Sequence, residues 1–169
     1  MRVVFALGSN LGDRLGHLQA AVEALGAVAV SPVVETAPVG GPEQDDYLNA
    51  VALADLADGS DALAVAHAAE AARGRAREVR WGPRTLDVDV LAVTTAGVDV
   101  RSDDPRLTLP HPRAHERAFV LVPWVALDPD AVLPGRGRAA DLLAALPPGD
   151  RGGVRRRDDL VLRLPSGPP

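Results

Sequence analysis

Residues 80–91, Arg-Trp-Gly-Pro-Arg-Thr-Leu-Asp-Val-Asp-Val-Leu, decide how the rest of the chain is read. Asp87 and Asp89 stand two apart in an apolar, β-branched run, and in a strand positions i and i+2 point to the same face. Two carboxylates side by side repel, and each raises the other's pKa unless positive charge lies between them. A hard divalent cation such as Mg²⁺ suits that donor pair, because it binds through one or two carboxylates and completes its shell with water and substrate phosphates. Upstream come Arg73, Arg75, Arg77, Arg80 and Arg84, offset only by Glu78. A guanidinium fork matches phosphate oxygens two at a time, and Gly82-Pro83 makes the turn into the strand. The bland alternative is a solvated strand edge beside a hydrated Arg cluster. Contiguity of an anion-binding loop, a turn and paired carboxylates favours metal plus polyphosphate.

With 169 residues, 47% of them apolar, the chain is expected to form one domain with a sizeable core. It contains no Cys, which excludes disulfides and thiolate metal sites and suits a reducing, cytoplasmic setting. The apolar run at the N-terminus is too short for a signal peptide, and no stretch approaches the ~18 apolar residues that span a bilayer. The net charge of -5 argues against nucleic-acid binding by bulk attraction, so any anion site must be local. Every basic side chain is Arg, so the position of an Arg carries more information than the number of them. Rings are scarce: Phe5, Tyr47, Trp81, Phe119 and Trp124.

In order, Arg2–Leu7 reads as a buried strand, followed by the turn Gly8-Ser9-Asn10-Leu11-Gly12-Asp13 with Asn10 or Asp13 as helix cap. Such a turn either cradles a phosphate on helix N–H groups or simply connects; it lacks both the dinucleotide fingerprint and the Lys-bearing phosphate loop. Leu15, Leu18, Val22 and Leu25 recur at helical spacing up to Gly26. Ala27–Thr36 is expected as a second strand and Tyr47–Leu56 as a third. On the latter, Tyr47, Asn49 and Val51 share a face, so a flat ring and an amide stand side by side, either as the floor for a planar heterocycle or as an ordinary half-buried pair. Ser60 is expected to cap a helix over 61–72, with His67 and Glu70 reaching a ligand or solvent. After the Asp strand, 97–100 reads as a hairpin return, and Arg106–Phe119 as a Pro-punctuated segment crowded with Arg106, His111, Arg113, His115 and Arg117. Val120–Leu127 and Ala139–Leu146 read as helices. Residues 1–146 form the expected domain, with 147–169 a loose tail or an edge strand near 160–164.

Taken together these motifs resemble the 6-hydroxymethyl-7,8-dihydropterin pyrophosphokinases of folate biosynthesis. The likeness is carried by Gly8-Ser9-Asn10-Leu11-Gly12, Tyr47-Leu48-Asn49, Gly74-Arg75, the string Arg80 to Asp89, and Leu109-Pro110-His111-Pro112 with Arg117 and Phe119. It spans residues 3 to about 130 in the family's order.

The resemblance implies a ferredoxin-like α+β fold: a single domain with a mostly antiparallel sheet and helices packed on it. It also implies transfer of the diphosphoryl group of ATP to the pterin hydroxymethyl oxygen, releasing AMP. Asp87 and Asp89 match the ligands of two Mg²⁺ ions. Tyr47 and Phe119 match the rings that sandwich the pterin, Asn49 the amide that reads its edge, and Thr36 and Val39 further pterin contacts. Glu70, Arg75, Arg84, Arg106, Thr108, His111 and Arg117 match nucleotide and phosphate contacts, Arg75 and Arg84 also serving catalysis. Arg77, Arg80 and Trp81 match a lid that orders on nucleotide. The enzyme so implied acts on ATP and the pterin as a cytoplasmic monomer, with neither nucleic acid nor membrane as partner. The rival readings are a ferredoxin-like RNA-binding module using the same arginines and rings, and an inactive scaffold of the same family.

Overall fold

A computed structural model describes residues 1–38, 44–72 and 85–167. Strand β1 (Arg2–Ser9) leads into helix α1 (Arg14–Ala24), then strands β2 (Ala27–Val30), β3 (Val34–Thr36) and β4 (Tyr47–Asp55), and helix α2 (Ala62–Ala71). Strand β5 (Asp87–Thr95) follows, and β6 (Val98–Asp99) returns from it. A separate hairpin of β7 (Ser102–Asp104) and β8 (Leu107–Leu109) precedes a 3-10 turn at Ala114–Glu116 and helix α3 (Ala118–Leu127). The chain closes with β9 (Val132–Leu133), β10 (Gly137–Arg138), α4 (Ala139–Ala145), α5 (Pro148–Gly152) and β11 (Arg155–Arg156).

The main sheet has the order β11-β3-β4-β1-β5-β6, with β2 also on β4 and every pairing antiparallel. Taking β1, β2 with β3, β4 and β5 as four successive strands, the two central ones are first and third, with α1 and α2 as the crossovers. That is the ferredoxin-like α+β arrangement. The alternation in β1 and β4 sends Val3, Phe5, Leu7, Leu48, Ala50, Ala52 and Ala54 onto α1 and α2, forming one core. The opposite face carries Val51 and Leu91 against Val120, Leu121 and Trp124 of α3 and Ala139 of α4. Each fully buried Leu or Phe of the two cores stabilises the fold by about 1.5–3 kcal/mol.

Local chemistry sets the element ends, and in places differs from expectation. The N-cap of α1 is Asp13, whose carboxylate accepts from Gly16 N at 3.0 Å. Helix α2 is capped by Asp61 rather than Ser60, with Oδ1 accepting from Leu63 N and Ala64 N, both at 3.0 Å. The expected strand 27–36 is two strands, because Pro32 has no N–H for the ladder. Ser31 bridges the break: its N donates to Val51 O at 2.9 Å and its hydroxyl accepts from Val51 N at 2.8 Å. The C-terminal edge strand lies at Arg155–Arg156, paired with β3, and not near 160–164; there Leu162 is buried against the core without joining the ladder.

Candidate active site

Three neighbouring strands, β4, β1 and β5, make the floor of the site. Gly8 stands opposite Asn49 on one side and Asp87 on the other; two residues along, Ala6 stands opposite Val51 and Asp89. Residues directly opposite in adjacent strands share a face, so both carboxylates, the Asn49 amide and Tyr47 lie on the α3 side of the sheet. The central position of each row is Gly or Ala, so the floor dips along β1 between an amide and two acids. A Cβ at Gly8 would come within 3.1 Å of Asn49 Oδ1 and 3.7 Å of Tyr47 Cδ1. The missing methyl keeps the space beside ring and amide open.

Asp87 and Asp89 are half-buried and alternate with the buried Leu86, Val88 and Val90. Asp89 Oδ2 accepts from Arg117 Nη1 at 3.0 Å and lies 3.9 Å from His111 Nε2. The Arg117 guanidinium carbon is also 5.7 Å from the centre of the Phe119 ring, at the start of α3. His111 is docked on β5 through its backbone N, which donates to Leu91 O at 2.8 Å. Its Nδ1 accepts from Arg113 N at 3.2 Å, which leaves the imidazole proton on Nε2, toward Asp89. Burial holds the His111 pKa below its ordinary value, with Arg117 and Arg113 adding to the fall and Asp89 and Asp87 opposing it. The ring is therefore a neutral N–H donor at pH 7, beside an Arg and two carboxylates.

At the other side of the floor, Asn49 is buried and its Nδ2 donates to Thr36 Oγ1 at 2.9 Å. Thr36 is the β3 partner of Tyr47. The structure thus brings Thr36, Tyr47 and Asn49 into one patch, and Asp87, Asp89, His111, Arg117 and Phe119 into another, on a single sheet face. Arg106 and Thr108 belong to the β7–β8 hairpin, whose second strand packs on β5. There Arg106 pairs with Asp104 at 2.9 Å, and Thr108 Oγ1 donates to Asp104 O at 3.2 Å. Val39, Arg75, Arg77, Arg80, Trp81 and Arg84 lie outside the described residues.

Of the two readings of His67 and Glu70, reaching a ligand or solvent, the structure rules out solvent for Glu70, which the resemblance matches to a nucleotide contact. His67 is exposed, but Glu70 is 3% exposed and its Oε1 accepts from Val88 N at 2.9 Å, on the backbone between the two Asp residues. The helical spacing predicts Leu63, Ala66 and Ala69 on the core face; Leu63 is only half-buried, and Ala62 takes the core position beside Ala66 and Ala69.

Two functional supports were not visible as such in the sequence. Ser9 is fully buried and its hydroxyl donates to Thr85 O, where β5 begins. Asn10 is 1% exposed, and its Nδ2 donates to Gln44 Oε1 at 2.9 Å and Asp45 O at 3.0 Å, just before Tyr47. The opening turn therefore ties the residues that lead into β4 to those that lead into β5. It is a connector and not a phosphate cradle: the α1 N-terminus already holds an anion, the Asp13 carboxylate. The signal lay in the adjacency of Ser and Asn to a buried strand end, but their partners are 76 and 35 residues away.

Comparison with known proteins agrees with this geometry. The family model described as 7,8-dihydro-6-hydroxymethylpterin-pyrophosphokinase (HPPK) matches residues 4–129. A 2-amino-4-hydroxy-6-hydroxymethyldihydropteridine pyrophosphokinase of Mycobacterium leprae is 50% identical, covering 99% of this chain and 94% of its own length. Proteins of the same name from Mycobacterium tuberculosis and Methylorubrum extorquens are 48% and 45% identical, over 91% and 87% of this chain and 88% and 94% of theirs. Among solved structures, the Plasmodium falciparum HPPK-DHPS crystallised with pterin and p-hydroxybenzoate is similar in fold, with a TM-score of 0.57 at 11% identity. The likeness covers 85% of this chain and 41% of that longer one.

Proposed function

We propose an active site and a division of labour within it from one premise: the chain belongs to the 7,8-dihydro-6-hydroxymethylpterin-pyrophosphokinase family. It is a pyrophosphokinase of folate biosynthesis, transferring the diphosphoryl group of ATP to the hydroxymethyl oxygen of 6-hydroxymethyl-7,8-dihydropterin and releasing AMP. The observation that carries the assignment of residues is the shared face of Asp87, Asp89, Gly8, Asn49 and Tyr47 on β5, β1 and β4.

Asp87 and Asp89 are the metal ligands in this reading. Two half-buried carboxylates fit Mg²⁺, which takes few protein oxygens; among the described residues no group of three or more His, Cys, Asp or Glu offers a closed cage. When bound, Mg²⁺, expected as two ions, supplies charge to the phosphate oxygens and helps orient them. Arg117 holds Asp89 and presents the rest of its fork to phosphate. His111 offers its Nε2 proton to a phosphate oxygen as a neutral donor. Arg75, Arg84, Arg106 and Thr108 complete the nucleotide side, and Glu70 serves it from behind by fixing the β5 backbone. The rings of Tyr47 and Phe119 sandwich the flat acceptor, with Asn49, Thr36 and Val39 at its edge. Arg77, Arg80 and Trp81 close over the nucleotide. In the reaction the hydroxymethyl oxygen gives its proton to water and bonds to the β-phosphorus as the bond from that phosphorus to the AMP oxygen breaks. Positioning and fixed positive charge account for most of the rate.

The finer terms of the reading are a monomer working in the cytoplasm, with the substrate contacts within residues 1–146 and the C-terminal tail adding an edge strand to β3. No helix among the described residues is long and apolar enough to cross a membrane. The deciding assay measures AMP release from ATP with and without 6-hydroxymethyl-7,8-dihydropterin in the presence of Mg²⁺. Pterin-dependent AMP release is expected, and its absence from folded protein overturns the reading.

A further inference from the structure

The stem of the acceptor-side segment and the C-terminal segment meet in a charge cluster that the reaction does not use. Glu35 lies one residue before Thr36 on β3 and opposite Leu48, so its side chain is on the reverse of the substrate face. It is 9% exposed. Its Oε1 accepts from Arg14 Nη1 at 2.9 Å, and its Oε2 from Arg157 Nη1 at 2.9 Å and Arg155 Nη2 at 3.3 Å. Two of these arginines also grip Asp46: Arg14 Nη1 donates to its backbone O at 2.7 Å, and Arg155 Nη2 to its Oδ2 at 2.8 Å. Arg157 is oriented in turn by Asp159, with Nη2 to Oδ2 at 2.8 Å. The backbone follows the same path, since Arg155 and Arg156 pair with Glu35 and Val34, and Arg157 N donates to Val33 O at 2.9 Å.

Glu35 and Asp46 bracket the segment that links β3 to β4, and the residues just beyond its two ends are the pocket's Thr36 and Tyr47. Clamping both ends to the same arginines holds Thr36 and Tyr47 in register. Through the Thr36 hydroxyl it also holds the Asn49 amide. Three guanidiniums against three carboxylates make a closed network, and such networks hold geometry better than isolated surface pairs. A pocket kept in its bound shape spends less ordering entropy on its ligand. Arg155 and Arg157 lie beyond residue 129, where the family match ends.

We propose that the C-terminal segment is a latch on the acceptor pocket: Arg155 and Arg157, acting through Glu35 and Asp46, are positioning residues that set affinity for the pterin and leave the nucleotide side unchanged. The inference rests on the reading that Thr36, Tyr47 and Asn49 hold the pterin.

The test is steady-state kinetics of the full chain, varying each substrate separately. The Arg155 side chain is 61% exposed, so Arg155→Ala leaves the core intact. It is expected to raise KM for the pterin about three- to tenfold, the range of one or two half-exposed ion pairs, with kcat and KM for ATP within about twofold of the parent. Arg155→Lys is expected to recover part of the loss, and Glu35→Gln to reproduce it. Tyr47→Ala is the benchmark. If Tyr47→Ala raises the pterin KM while Arg155→Ala and Glu35→Gln do not, the latch is wrong and the pocket stands. If Tyr47→Ala leaves that KM unchanged, the pocket assignment fails and takes the latch with it. Equal rises in both KM values overturn the latch as well, because general loosening does not distinguish one substrate from the other.

Discussion

Replacing Asp89 with Asn separates the chemistry of the site from the stability of the fold. The amide keeps the shape of the side chain and removes one charge. On stability, two effects oppose. The Arg117–Asp89 pair at 3.0 Å is lost; with side chains 22% and 35% exposed it contributes about 0.5–1 kcal/mol. Against that, the repulsion between like charges on adjacent same-face positions is relieved. At roughly 6–7 Å in a mostly aqueous dielectric this is about 0.5–1 kcal/mol. The difference is within about 1 kcal/mol, or roughly 3 °C in Tm for a domain of this size.

On activity nothing cancels. In the proposed site one of two metal ligands disappears, and Arg117 loses its 3.0 Å carboxylate partner. Losing a pre-set electrostatic stabiliser costs about 10²–10³ in turnover, and weakening a metal's ligand set costs about 10–100-fold in its affinity. The assay is AMP release at saturating ATP and pterin across a Mg²⁺ titration, with thermal unfolding of the same samples. Asp89→Asn is expected to turn over at least about a hundredfold more slowly, with the magnesium midpoint moved upward and Tm nearly unchanged. Turnover within threefold of the parent, or a slow enzyme with an unshifted magnesium midpoint, would refute the assignment of this carboxylate.

Ser9→Ala leaves the Thr85 carbonyl without its hydroxyl donor at a fully buried position, so denaturant unfolding should show a loss of about 1–2 kcal/mol; an unchanged midpoint would remove the opening turn from its role as a tie. Gly8→Ala sets a methyl 3.1 Å from Asn49 Oδ1, inside the open strip of the floor. Pterin KM is expected to rise about tenfold, the effect of about 1.4 kcal/mol, with KM for ATP unaltered, and a rise confined to ATP would contradict the map of the face. Acid stability follows from Glu35: burial pushes its carboxyl up, but hydrogen bonds from Arg157, Arg14 and Arg155 outweigh this and hold it below the usual 4.5. A carboxyl lowered on folding contributes stability that is complete above pH 4.5 and fades as pH falls through the lowered value. The Tm gap between the parent and Glu35→Gln should therefore narrow on acidification below pH 4.5, and a gap constant down to pH 2 would count against a charged Glu35 in the folded state.

Much of the frame was legible because its signals are local. Alternation in 47–55, the β-branched run from Asp87 and the spacing of Leu15, Leu18 and Val22 each report one element's own buried face, and those elements form as read. Pairing partners are not local. Strand β11 is made of two arginines, invisible to a hydrophobic pattern, and exists because Glu35 and Val34 lie across from it. The apolar 160–164 run reads more like a strand, yet it serves the core without a ladder, through buried Leu162 with Leu160 packed beside it. Pro32 was on view, but that Ser31 would repair the break with its hydroxyl depends on Val51 arriving alongside.

The same division runs through the site and explains its construction. Asp87 and Asp89 were legible because a strand's period of two is a property of three consecutive residues. What braces the two patches was not, since Glu70 reaches the Val88 N–H between the two Asp residues from a different element, and Glu35 works behind Thr36 from the opposite face of β3. Both carboxylates are buried, and burying an acid is costly unless it is bonded. In each case the bond is made to the frame of the site and not to a substrate: a strand backbone under the two metal-type acids, and three guanidiniums under the acceptor pocket. Such acids read in sequence as ligands or as solvated charges, because residue type records what a group can bind and only the fold records where it is aimed. The residues proposed to face substrate are thus the ones a motif announces, while the acids that brace them are reached only through long-range contacts, α2 with β5 and β3 with β11.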